Sequence, residues 1–386
     1  MGIMEVILDG LKESNRHFLS SVGLRYEAGG IVEVQISFRV NGEMGSDHEY
    51  ADVNWDELGF RLMPTDYMYM MKCSQHDSFS EGQLTQYGNI ELNPSAGVLN
   101  YGQGLFEGLK AYRKINGGGL ALFRPEENAR RMQMGAERMC MPSPTVDQFL
   151  HAVKHTVLAN KRWVPPPGKG SLYVRPLLLG SGPVLGLAPA TEYLFLVYAA
   201  PVGNYFKEGL APINLIIEED TCRATPGGTG GVKTITNYAP VLKAQQEAKK
   251  KGFTDVLFLD SVNKIYLEEA SSSNIFLVKN NLILTPKTAG TILQGITRAS
   301  IIEIAGDLGH QVEERPVSVD DLVDADEVFC TGTAVVVAPV SSITYKDRRY
   351  SYNCGEHAVS RMLYKSLIAI QLGHVQDKKG WSIQIG

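Results

Sequence analysis

The chain has 386 residues and a formal net charge of −5 at pH 7, with 44% hydrophobic and 20% charged residues. This composition excludes a disordered chain, and the acidic balance argues against nucleic acid as the main partner, because binding phosphate backbones needs clustered Lys and Arg. The length predicts about two domains, since single hydrophobic cores tend to split beyond about 250–300 residues.

Cysteine usage and hydropathy narrow the class of protein further. The five cysteines are widely spaced and form no CxxC pair, which predicts a reduced compartment and no metal site. The longest apolar stretch lies near residues 193–202. It is far shorter than the roughly 18 residues of a membrane span, so it predicts a buried strand and no membrane partner. Residues 1–49 carry acids throughout, whereas transit peptides are usually acid-poor.

Apolar runs and their boundaries predict a mixed α+β fold. The runs LYVRPLLL (172–179) and YLFLVYA (193–199) are bounded by Gly and Pro, which is typical of buried strands. Residues 214–219 predict another strand. Residues 240–251 predict a helix, because a Pro at its start and a Gly after its end are typical helix boundaries.

The second half of the chain continues the mixture of strands and helices. The further predicted elements are a strand at 255–260 paired across a turn with the region of residue 265, a tight turn at 280–281, a helix at 296–308, strands at 327–330 and 335–337, and a helix at 356–372.

The stretch PVGNYFKEG has the Gly and Pro content of a connector between domains. We therefore predict an unassigned leader at 1–49, a small α+β domain at 50–202, a connector at 203–209 and a large α+β domain at 210–386. Small-molecule sites favour clefts between domains, so we expect the functional site there.

A glycine-rich run, PGGTGGVKT, precedes Lys233. A P-loop needs Gly immediately before its Lys, and Val232 interrupts that spacing, which disfavours nucleotide binding. Glycines also let the backbone pack tightly, so that a lysine projects into a shielded cavity where its amine is neutral enough to attack a carbonyl. From the pattern alone, a solvated surface lysine is the alternative.

Other segments carry groups that a phosphate-bearing cofactor needs. In LEEASSSNIF, Glu268 or Glu269 can hold the proton on the ring nitrogen of pyridoxal 5′-phosphate (PLP), although a solvated acidic turn is the alternative. The arginines of PEENARRM and the amides of QGITR at a helix start can bind a dianionic phosphate. The turn TGTA (331–334) offers a hydroxyl and another amide.

In combination, these segments resemble the branched-chain amino acid aminotransferases, a family of fold-type IV PLP enzymes. The resemblance runs in order from about residue 50 to the C-terminus, through LNYGQGLFEGLKAYR, LFRPEENARRM, SLYVRPLLLGSG, APVGNYFKEG, GGVKTITNYAP, YLEEASSSNIF, LQGITR and DEVFCTGTA. The sequence of these motifs, together with the stretch ANKRWVPPPGKGSLYVRP, is most similar to that of plant, plastid-type members. The implied fold is a two-domain α+β fold with the active site in the interdomain cleft.

The resemblance implies the PLP-binding residues motif by motif. Lys233 in GGVK matches the lysine that forms the Schiff base with PLP and shuttles the proton. Glu269 matches the carboxylate at the pyridine nitrogen, and Tyr238 matches the tyrosine at the phenolate oxygen. The implied phosphate ligands are Arg131, the amides of Ile296 and Thr297, and Thr333.

The resemblance also implies the substrate-binding residues. Those around the α-carboxylate are Tyr101, Arg175 and the amide of Ala334. Those of the aromatic side-chain pocket are Phe60, Phe106, Tyr173 and Tyr205. Leu185 and Leu187 match a loop that reaches the partner subunit's pocket, so a homodimer is implied. Arg61, where the family usually has a small residue, leaves the substrate range open.

The implied activity is ping-pong transfer of the amino group between leucine, isoleucine or valine and 2-oxoglutarate, giving branched-chain 2-oxo acids and glutamate. The resemblance implies location in the chloroplast, whereas the composition of residues 1–49 favours the cytoplasm.

The alternative functions are those of another fold-type IV enzyme, such as a D-amino-acid aminotransferase or an aminodeoxychorismate lyase, and of a methionine-preferring member of the family. A non-catalytic binding protein is disfavoured, because Lys233, Glu269 and Arg131 are all present.

Overall fold

A computed structural model describes residues 19–27, 30–38 and 49–386, apart from residues 116, 118 and 204–210. No helix within these described residues is long and apolar enough to cross a membrane.

The chain divides into two units, Met1–Glu49 and Tyr50–Gly386. In the first unit, strands β1 (Leu19–Glu27) and β2 (Gly30–Phe38) form an antiparallel two-stranded sheet. No element was predicted for these residues from the sequence.

The first sheet of the second unit is antiparallel and has eight strands. They are β3 (Tyr67–Ser74), β4 (Gln83–Gln86), β5 (Gly104–Phe106), β6 (Leu109–Arg113), β7 (Leu120–Phe123), β8 (Ser171–Gly180), β9 (Glu192–Val202) and β19 (Ser382–Ile385). Their order is β19-β7-β6-β8-β9-β3-β4, and β5 pairs with β8. The helices of this part are α1 (Gly97–Tyr101), α2 (Pro125–Arg138) and α3 (Val146–Ala159).

Helix α3 shows why this region folds as it does. Thr145 and Gln148 form a reciprocal capping box at its start, a motif that stabilises a helix by about 1 kcal/mol. Phe149, Val153 and Val157 are spaced four residues apart, so they lie on one face of the helix. All three are fully buried in the core of the eight-stranded sheet.

The second sheet has nine strands and mixed pairing. They are β10 (Ile213–Glu218), β11 (Asp255–Leu259), β12 (Leu267–Ala270), β13 (Asn274–Lys279), β14 (Leu282–Pro286), β15 (Gln311–Arg315), β16 (Glu327–Gly332), β17 (Val336–Tyr345) and β18 (Arg348–Ser351). Their order is β12-β11-β10-β17-β16-β13-β14-β15, with β18 on β17. A further pairing of Glu269 with Asn274 joins β12 to β13 and closes six strands into a ring.

Four helices accompany this second sheet: α4 (Leu242–Lys250), α5 (Ile296–Asp307), α6 (Val319–Val323) and α7 (Val359–Leu372). Helices α5 and α7 share a buried apolar cluster with the sheet, in which Ile301, Leu363 and Phe329 are fully buried. This packing holds α5 against β16.

Strand β8 has one face in the hydrophobic core and the other face in a cavity. Side chains alternate between the two faces of a strand, so residues two apart share a face. Leu172, Val174 and Leu178 are buried in the core of the eight-stranded sheet. Tyr173, Arg175 and Leu177 face the opposite way and line a cavity.

The predicted mixture of strands and helices is confirmed, although the strand predicted at 335–337 runs on to Tyr345 as β17 and other ends shift slightly. The helix predicted at 240–251 begins at Leu242, and β9 extends through Val202 into the stretch taken as a connector. Residues 204–210 lie outside the described residues, so the domain division at 203–209 stays a prediction. Strands β10 to β18 share one sheet, but β19 returns to the sheet of β3 to β9.

Candidate active site

A cavity of about 500 Å³ is lined by residues from both sheets of the second unit. From the eight-stranded sheet come Phe106, Tyr173, Arg175 and Leu177. From the nine-stranded sheet come Glu269, Asn274 and Thr331. This volume is in the range of sites for small ligands and cofactors.

Lys233 projects into this cavity. Its Nζ lies 3.1 Å from the Tyr238 hydroxyl and 4.6 Å from the centre of the Phe106 ring. Burial lowers the pKa of Lys233 to about 8, and the nearby cation of Arg131 acts in the same direction. The side chain is therefore a buried amine that loses its proton far more readily than a surface lysine, which excludes the alternative of a solvated lysine.

The glycines before Lys233 serve close backbone packing. A Cβ at Gly230 would collide with the carbonyl oxygen of Thr291, and a Cβ at Gly231 would lie 3.0 Å from the carbonyl oxygen of Gly290. The amide of Gly231 donates to that same carbonyl of Gly290 over 2.7 Å. The run holds the lysine segment against a neighbouring loop, as expected from the sequence.

Tyr238 lies beside Lys233 because a short 3-10 helix, Ile235–Asn237, separates the two residues. Its ring packs edge-on against Phe106, with ring centres 4.8 Å apart. Burial raises the pKa of Tyr238 to about 12, and the carboxylate of Glu269 adds to this effect. The hydroxyl therefore stays protonated at neutral pH and can donate a hydrogen bond into the cavity.

Glu269 is a buried carboxylate in the same cavity. It forms an ion pair with Arg223, and it accepts hydrogen bonds from the Asn274 side chain at 3.1 Å and the Leu293 amide at 3.2 Å. Burial raises the pKa of Glu269 to about 7, while Arg223 opposes this rise. Such a carboxylate is poised to share a proton with a basic ligand atom near neutral pH.

The two acids of LEEAS separate in the structure. Glu269 lines the cavity, whereas Glu268 does not. Adjacent residues of β12 point to opposite sides of the strand. Glu268 is buried, and its Oε2 has no hydrogen-bond partner among the described residues. Burial raises the pKa of Glu268 as well.

Arg131 lines the cavity on another side and is bound by Glu107. Its Nε lies 2.8 Å and its Nη2 2.6 Å from the two carboxylate oxygens of Glu107, a forked ion pair that is almost wholly buried. Its Nη1 donates to the Gln294 carbonyl at 2.9 Å. Burial opposes the charge of Arg131, but Glu107 raises its pKa above the usual value. The guanidinium is thus fixed at the cavity wall.

The start of helix α5 faces the same cavity. Gly295, Ile296 and Thr297 line it, and no side chain caps the helix at Gly295. The first amides of a helix have no partner within the helix, and its dipole favours an anion there. Close by, the Thr331 hydroxyl is buried with no partner among the described residues, and Thr333 also lines the cavity.

Ala334 lines the cavity and is anchored from behind by Lys110. Lys110 Nζ donates to the Ala334 carbonyl at 3.1 Å. Burial lowers the pKa of Lys110 to about 8. This hydrogen bond fixes the backbone of the turn at Ala334.

Three of the aromatic residues expected around a substrate side chain, Phe60, Phe106 and Tyr173, line the cavity. Phe60 packs edge-on against Tyr173, with ring centres 5.2 Å apart. The Arg175 guanidinium lies 4.9 Å from the Phe106 ring centre and 5.2 Å from that of Tyr173. Arg61 is exposed and does not line the cavity.

Two of the expected substrate residues are not found in this cavity. Tyr101 does not line it, and its hydroxyl donates instead to the Leu185 carbonyl. Tyr205 lies outside the described residues. The prediction that these two tyrosines contact substrate therefore stays a prediction.

Sequence reasoning missed three supporting residues: Glu107, Lys110 and Arg223. Glu107 and Lys110 carried a signal, because ionisable residues inside the apolar run GLFEGLKAY are rarely buried without a partner. Arg223 carried none, since it stands in an irregular polar stretch after β10. Its role becomes visible only through its contact with Glu269.

These residues fit PLP. The cavity combines a lysine amine of lowered pKa, a protonated tyrosine hydroxyl, a buried carboxylate, and a cluster of donors at Arg131, α5 and Thr333. The unpartnered Thr331 hydroxyl adds a further donor. Within the described residues, no group of three His, Cys, Asp or Glu side chains could hold a metal ion.

Comparison with known proteins agrees with this geometry. The family model described as amino-transferase class IV matches residues 104–343. The chain is 69% identical over 338 residues to the chloroplastic branched-chain amino acid aminotransferase 2 of Humulus lupulus, covering 87% of this chain and 83% of that one. It is 58% identical over 369 residues to the mitochondrial branched-chain-amino-acid aminotransferase 1 of Arabidopsis thaliana, covering 95% and 96%.

A solved structure has the same fold. The T.th. branched-chain amino acid aminotransferase, crystallised with pyridoxamine 5′-phosphate, superposes with a TM-score of 0.72 at 27% identity, covering 84% of this chain and 100% of that one. The match of the family model, the identities to the plant enzymes and the shared fold-type IV architecture agree with the cavity built around Lys233. This chain therefore belongs to the class IV aminotransferases and, within them, to the branched-chain amino acid aminotransferase family.

Proposed function

We propose that this protein transfers an amino group between leucine, isoleucine or valine and 2-oxoglutarate, using PLP held by Lys233. The observation that carries this proposal is the presence of Lys233 and Glu269 in one cavity with an aromatic wall formed by Phe60, Phe106 and Tyr173. When bound, PLP supplies a carbon that takes up the amino group and a protonated ring that withdraws electrons from the substrate Cα.

Lys233 is the residue that moves the proton. Because its pKa is lowered to about 8, a large share of the free side chain is neutral near pH 8 and can accept the Cα proton of the substrate. The cations of Arg131 and Arg175 disfavour the ammonium form and so favour this neutral amine. The same amine returns the proton when the reaction runs with the second substrate.

Glu269 and Tyr238 act on the cofactor ring. Glu269 holds a proton at the ring nitrogen, because a carboxylate beside that nitrogen stabilises its charged form. Tyr238 stays protonated, with a pKa of about 12, so it donates to the phenolate oxygen of the ring. Both roles need rigid side chains, and the partners of Glu269 supply that rigidity.

Arg131, the amides of Ile296 and Thr297, and Thr333 bind the phosphate in this proposal. All four residues line the cavity. The uncapped start of α5 offers unpaired amides and a favourable dipole to an anion. Arg131 adds charge-assisted hydrogen bonds, since its guanidinium is already oriented by Glu107.

Two substrate classes share the remaining part of the cavity. Phe60, Phe106 and Tyr173 offer an apolar pocket to a branched side chain, which has no polar handle. Arg175 lies against two of these rings, and its buried Nε has no hydrogen-bond partner among the described residues. We assign Arg175 and the Ala334 amide to substrate carboxylates, so that leucine and glutamate can use one site.

We also propose that two copies form a homodimer, in which Tyr101 and the Leu185–Leu187 loop complete the partner's substrate pocket. Leu185 and Leu187 are 91% and 88% exposed in the single chain. Two leucines this exposed on one short loop form an apolar patch, which favours an interface more than a single exposed residue does. Tyr101 binds the Leu185 carbonyl, so it belongs to the same surface and not to its own cavity.

For location, we propose the chloroplast. The support is the chloroplastic name of the Humulus lupulus relative at 69% identity, although the Arabidopsis thaliana relative at 58% is named mitochondrial. A fluorescent fusion of the complete chain in leaf cells tests this. Signal within plastids supports the proposal, and diffuse cytoplasmic or mitochondrial signal contradicts it.

The visible absorption spectrum of the purified protein tests the activity. With PLP supplied, we expect a yellow band that bleaches on adding leucine and returns on adding 2-oxoglutarate. Lys233→Ala should lack both the lasting band and the turnover, whereas Lys243→Ala, an exposed lysine on α4, should match the unaltered protein.

The substrates distinguish this proposal from the alternatives. A band that responds to methionine or D-leucine but not to L-leucine keeps the cofactor and rejects the branched-chain assignment. A protein that binds no PLP at all rejects the proposal entirely.

A further inference from the structure

Arg223 is a buried arginine directly behind Glu269. It follows strand β10, and its side chain is 3% exposed. Its Nη2 pairs with Glu269 and also donates to the carbonyl oxygens of Gly230 at 2.9 Å and Thr291 at 2.7 Å. Arg223 therefore contacts the carboxylate, the lysine segment and the loop before α5 at once.

The charges around Glu269 make this contact important. The neighbouring residue Glu268 is also an acid, and the hydroxyl of Tyr238 stays neutral. Neither of them balances the negative charge of Glu269. Lys233 is the other cation near Glu269, but its amine is engaged whenever it holds the cofactor. Among the described residues, Arg223 is the cation that stays beside Glu269 throughout the reaction.

An ionised Glu269 is a condition for the function proposed above. A carboxyl group that is buried without a cation tends to take up a proton near neutral pH. Once protonated, it donates a hydrogen bond and no longer attracts a proton to a basic nitrogen. The pKa of Glu269 is already raised to about 7 by burial, and Arg223 is the largest influence that lowers it.

From this geometry we propose that Arg223 is a positioning residue for the reaction: its ion pair keeps Glu269 ionised and thereby keeps the proton on the ring nitrogen of the bound cofactor. The inference rests on the proposed function. Arg223 acts through Glu269 and touches neither the cofactor nor the substrate.

The geometry also explains why arginine stands here. All three contacts are made by one nitrogen, Nη2, at the end of a rigid planar group, whereas a lysine ammonium lies at the end of a flexible chain. Arg223→Lys therefore keeps the charge and weakens the clamp on Gly230 and Thr291. Arg223→Gln keeps a donor and removes the charge.

The test is ¹⁵N NMR of the complete protein loaded with PLP that carries ¹⁵N in its ring. The chemical shift of this nitrogen separates its protonated and unprotonated forms. We expect a protonated nitrogen in the unaltered protein and in Arg223→Lys at pH 7. In Arg223→Gln, we expect the unprotonated signal and turnover lower by about 10²-fold, with the KM for leucine little changed.

Arg298→Gln is the matched control. Arg298 is also a buried arginine that binds a carboxylate, Glu314, and a backbone carbonyl, that of Pro286, but it does not line the cavity. It should lose stability and keep the protonated signal. Glu269→Gln should reproduce the unprotonated signal of Arg223→Gln.

The outcomes separate the two proposals. If the unaltered protein binds no PLP or does not react with leucine, the proposed function fails. If it does both and Arg223→Gln keeps a protonated nitrogen, only the role of Arg223 fails. Should Arg223→Gln not fold, Arg223→Lys decides: an unprotonated nitrogen there would overturn the role assigned to the charge.

Discussion

The amine of Lys233 and the hydroxyl of Tyr238 lie 3.1 Å apart, and the same burial acts on both groups in opposite senses. It lowers the pKa of Lys233 to about 8 and raises that of Tyr238 to about 12. Each shift favours the neutral form of its group. One shielded cavity thus contains an amine ready to accept a proton and a phenol ready to donate a hydrogen bond.

Tyr238→Phe removes that donor, together with the hydrogen bond that the hydroxyl accepts from the Lys233 amine. Without the hydroxyl, the phenolate oxygen of bound PLP loses a charge-assisted hydrogen bond worth about 1.5–3 kcal/mol. The proton on the cofactor should therefore be held to higher pH, with the midpoint of the spectral pH titration rising by about one unit or more. The measurement is the visible spectrum of the loaded protein from pH 5 to 10. A midpoint that does not move would place Tyr238 away from the phenolate oxygen.

Much of the site could be predicted because several of its residues belong to short sequence patterns that are visible without the fold. The alternation of β8 sets Tyr173 and Arg175 on one face, and the glycines before Lys233 mark a close backbone approach. The resemblance then distinguished Glu269 from Glu268, and in the structure only Glu269 lines the cavity.

The ionic partners could not be predicted in the same way. Glu107 and Arg131 are 24 positions apart, and Arg223, in the irregular stretch after β10, pairs with Glu269 on β12. Such pairs form only when the strands close into sheets, so neither spacing nor periodicity records them. The contact of Tyr101 with Leu185 likewise depends on the loop between β8 and β9, which lies against the segment before α1.

Glu107→Gln tests whether the guanidinium of Arg131 binds the phosphate of PLP. Removing one partner of a buried pair leaves an uncompensated charge, which costs about 3–5 kcal/mol. We expect the PLP-free variant to lose about this much stability, and PLP to restore part of it because the phosphate replaces the lost carboxylate. Thermal unfolding with and without PLP measures both effects.

A more exposed pair provides the control for Glu107. Glu303 pairs with Arg124 at 3.0 Å and is 42% exposed, so Glu303→Gln should cost less than about 1 kcal/mol. Its stabilisation by PLP should equal that of the unaltered protein. Equal gains from PLP in Glu107→Gln and Glu303→Gln would argue that the phosphate does not bind at Arg131.

Lys110 gives a prediction for stability against pH. Its pKa in the folded protein is about 8, below its ordinary value of 10.5. Between these two values the unfolded chain binds more protons, so the folded state gains stability as pH rises from about 8 to 10.5. Relative to Lys110→Met, which has no such proton, the unaltered PLP-free protein should gain on the order of 3 kcal/mol.

Lys110→Arg provides the matching comparison, because an arginine keeps its charge throughout this range. It should show no gain relative to Lys110→Met. Urea denaturation of the three PLP-free proteins at pH 7.5 and pH 10.5 gives these differences. If the unaltered protein and Lys110→Met change in parallel, the amine of Lys110 does not titrate in this range.

The last prediction concerns the surface formed by Leu185 and Leu187. In the proposed homodimer these side chains, 91% and 88% exposed in the single chain, enter the partner's pocket. Leu185→Asp with Leu187→Asp would place two charges in an apolar interface, and the dimer should dissociate. Sedimentation velocity should give the mass of one chain, 42.4 kDa, and turnover of leucine should fall by about 10-fold or more.

Two further variants separate assembly from pocket shape. Val262 is 71% exposed in a turn between β11 and β12, so Val262→Asp introduces the same chemistry elsewhere and should leave a dimer of full activity. Leu185→Ala with Leu187→Ala should keep the dimer and raise the KM for leucine, because truncated side chains leave the partner's pocket too wide for a branched substrate. A dimer with unchanged KM in that variant would remove this loop from the substrate pocket, since the aromatic wall of one chain would then suffice for selection.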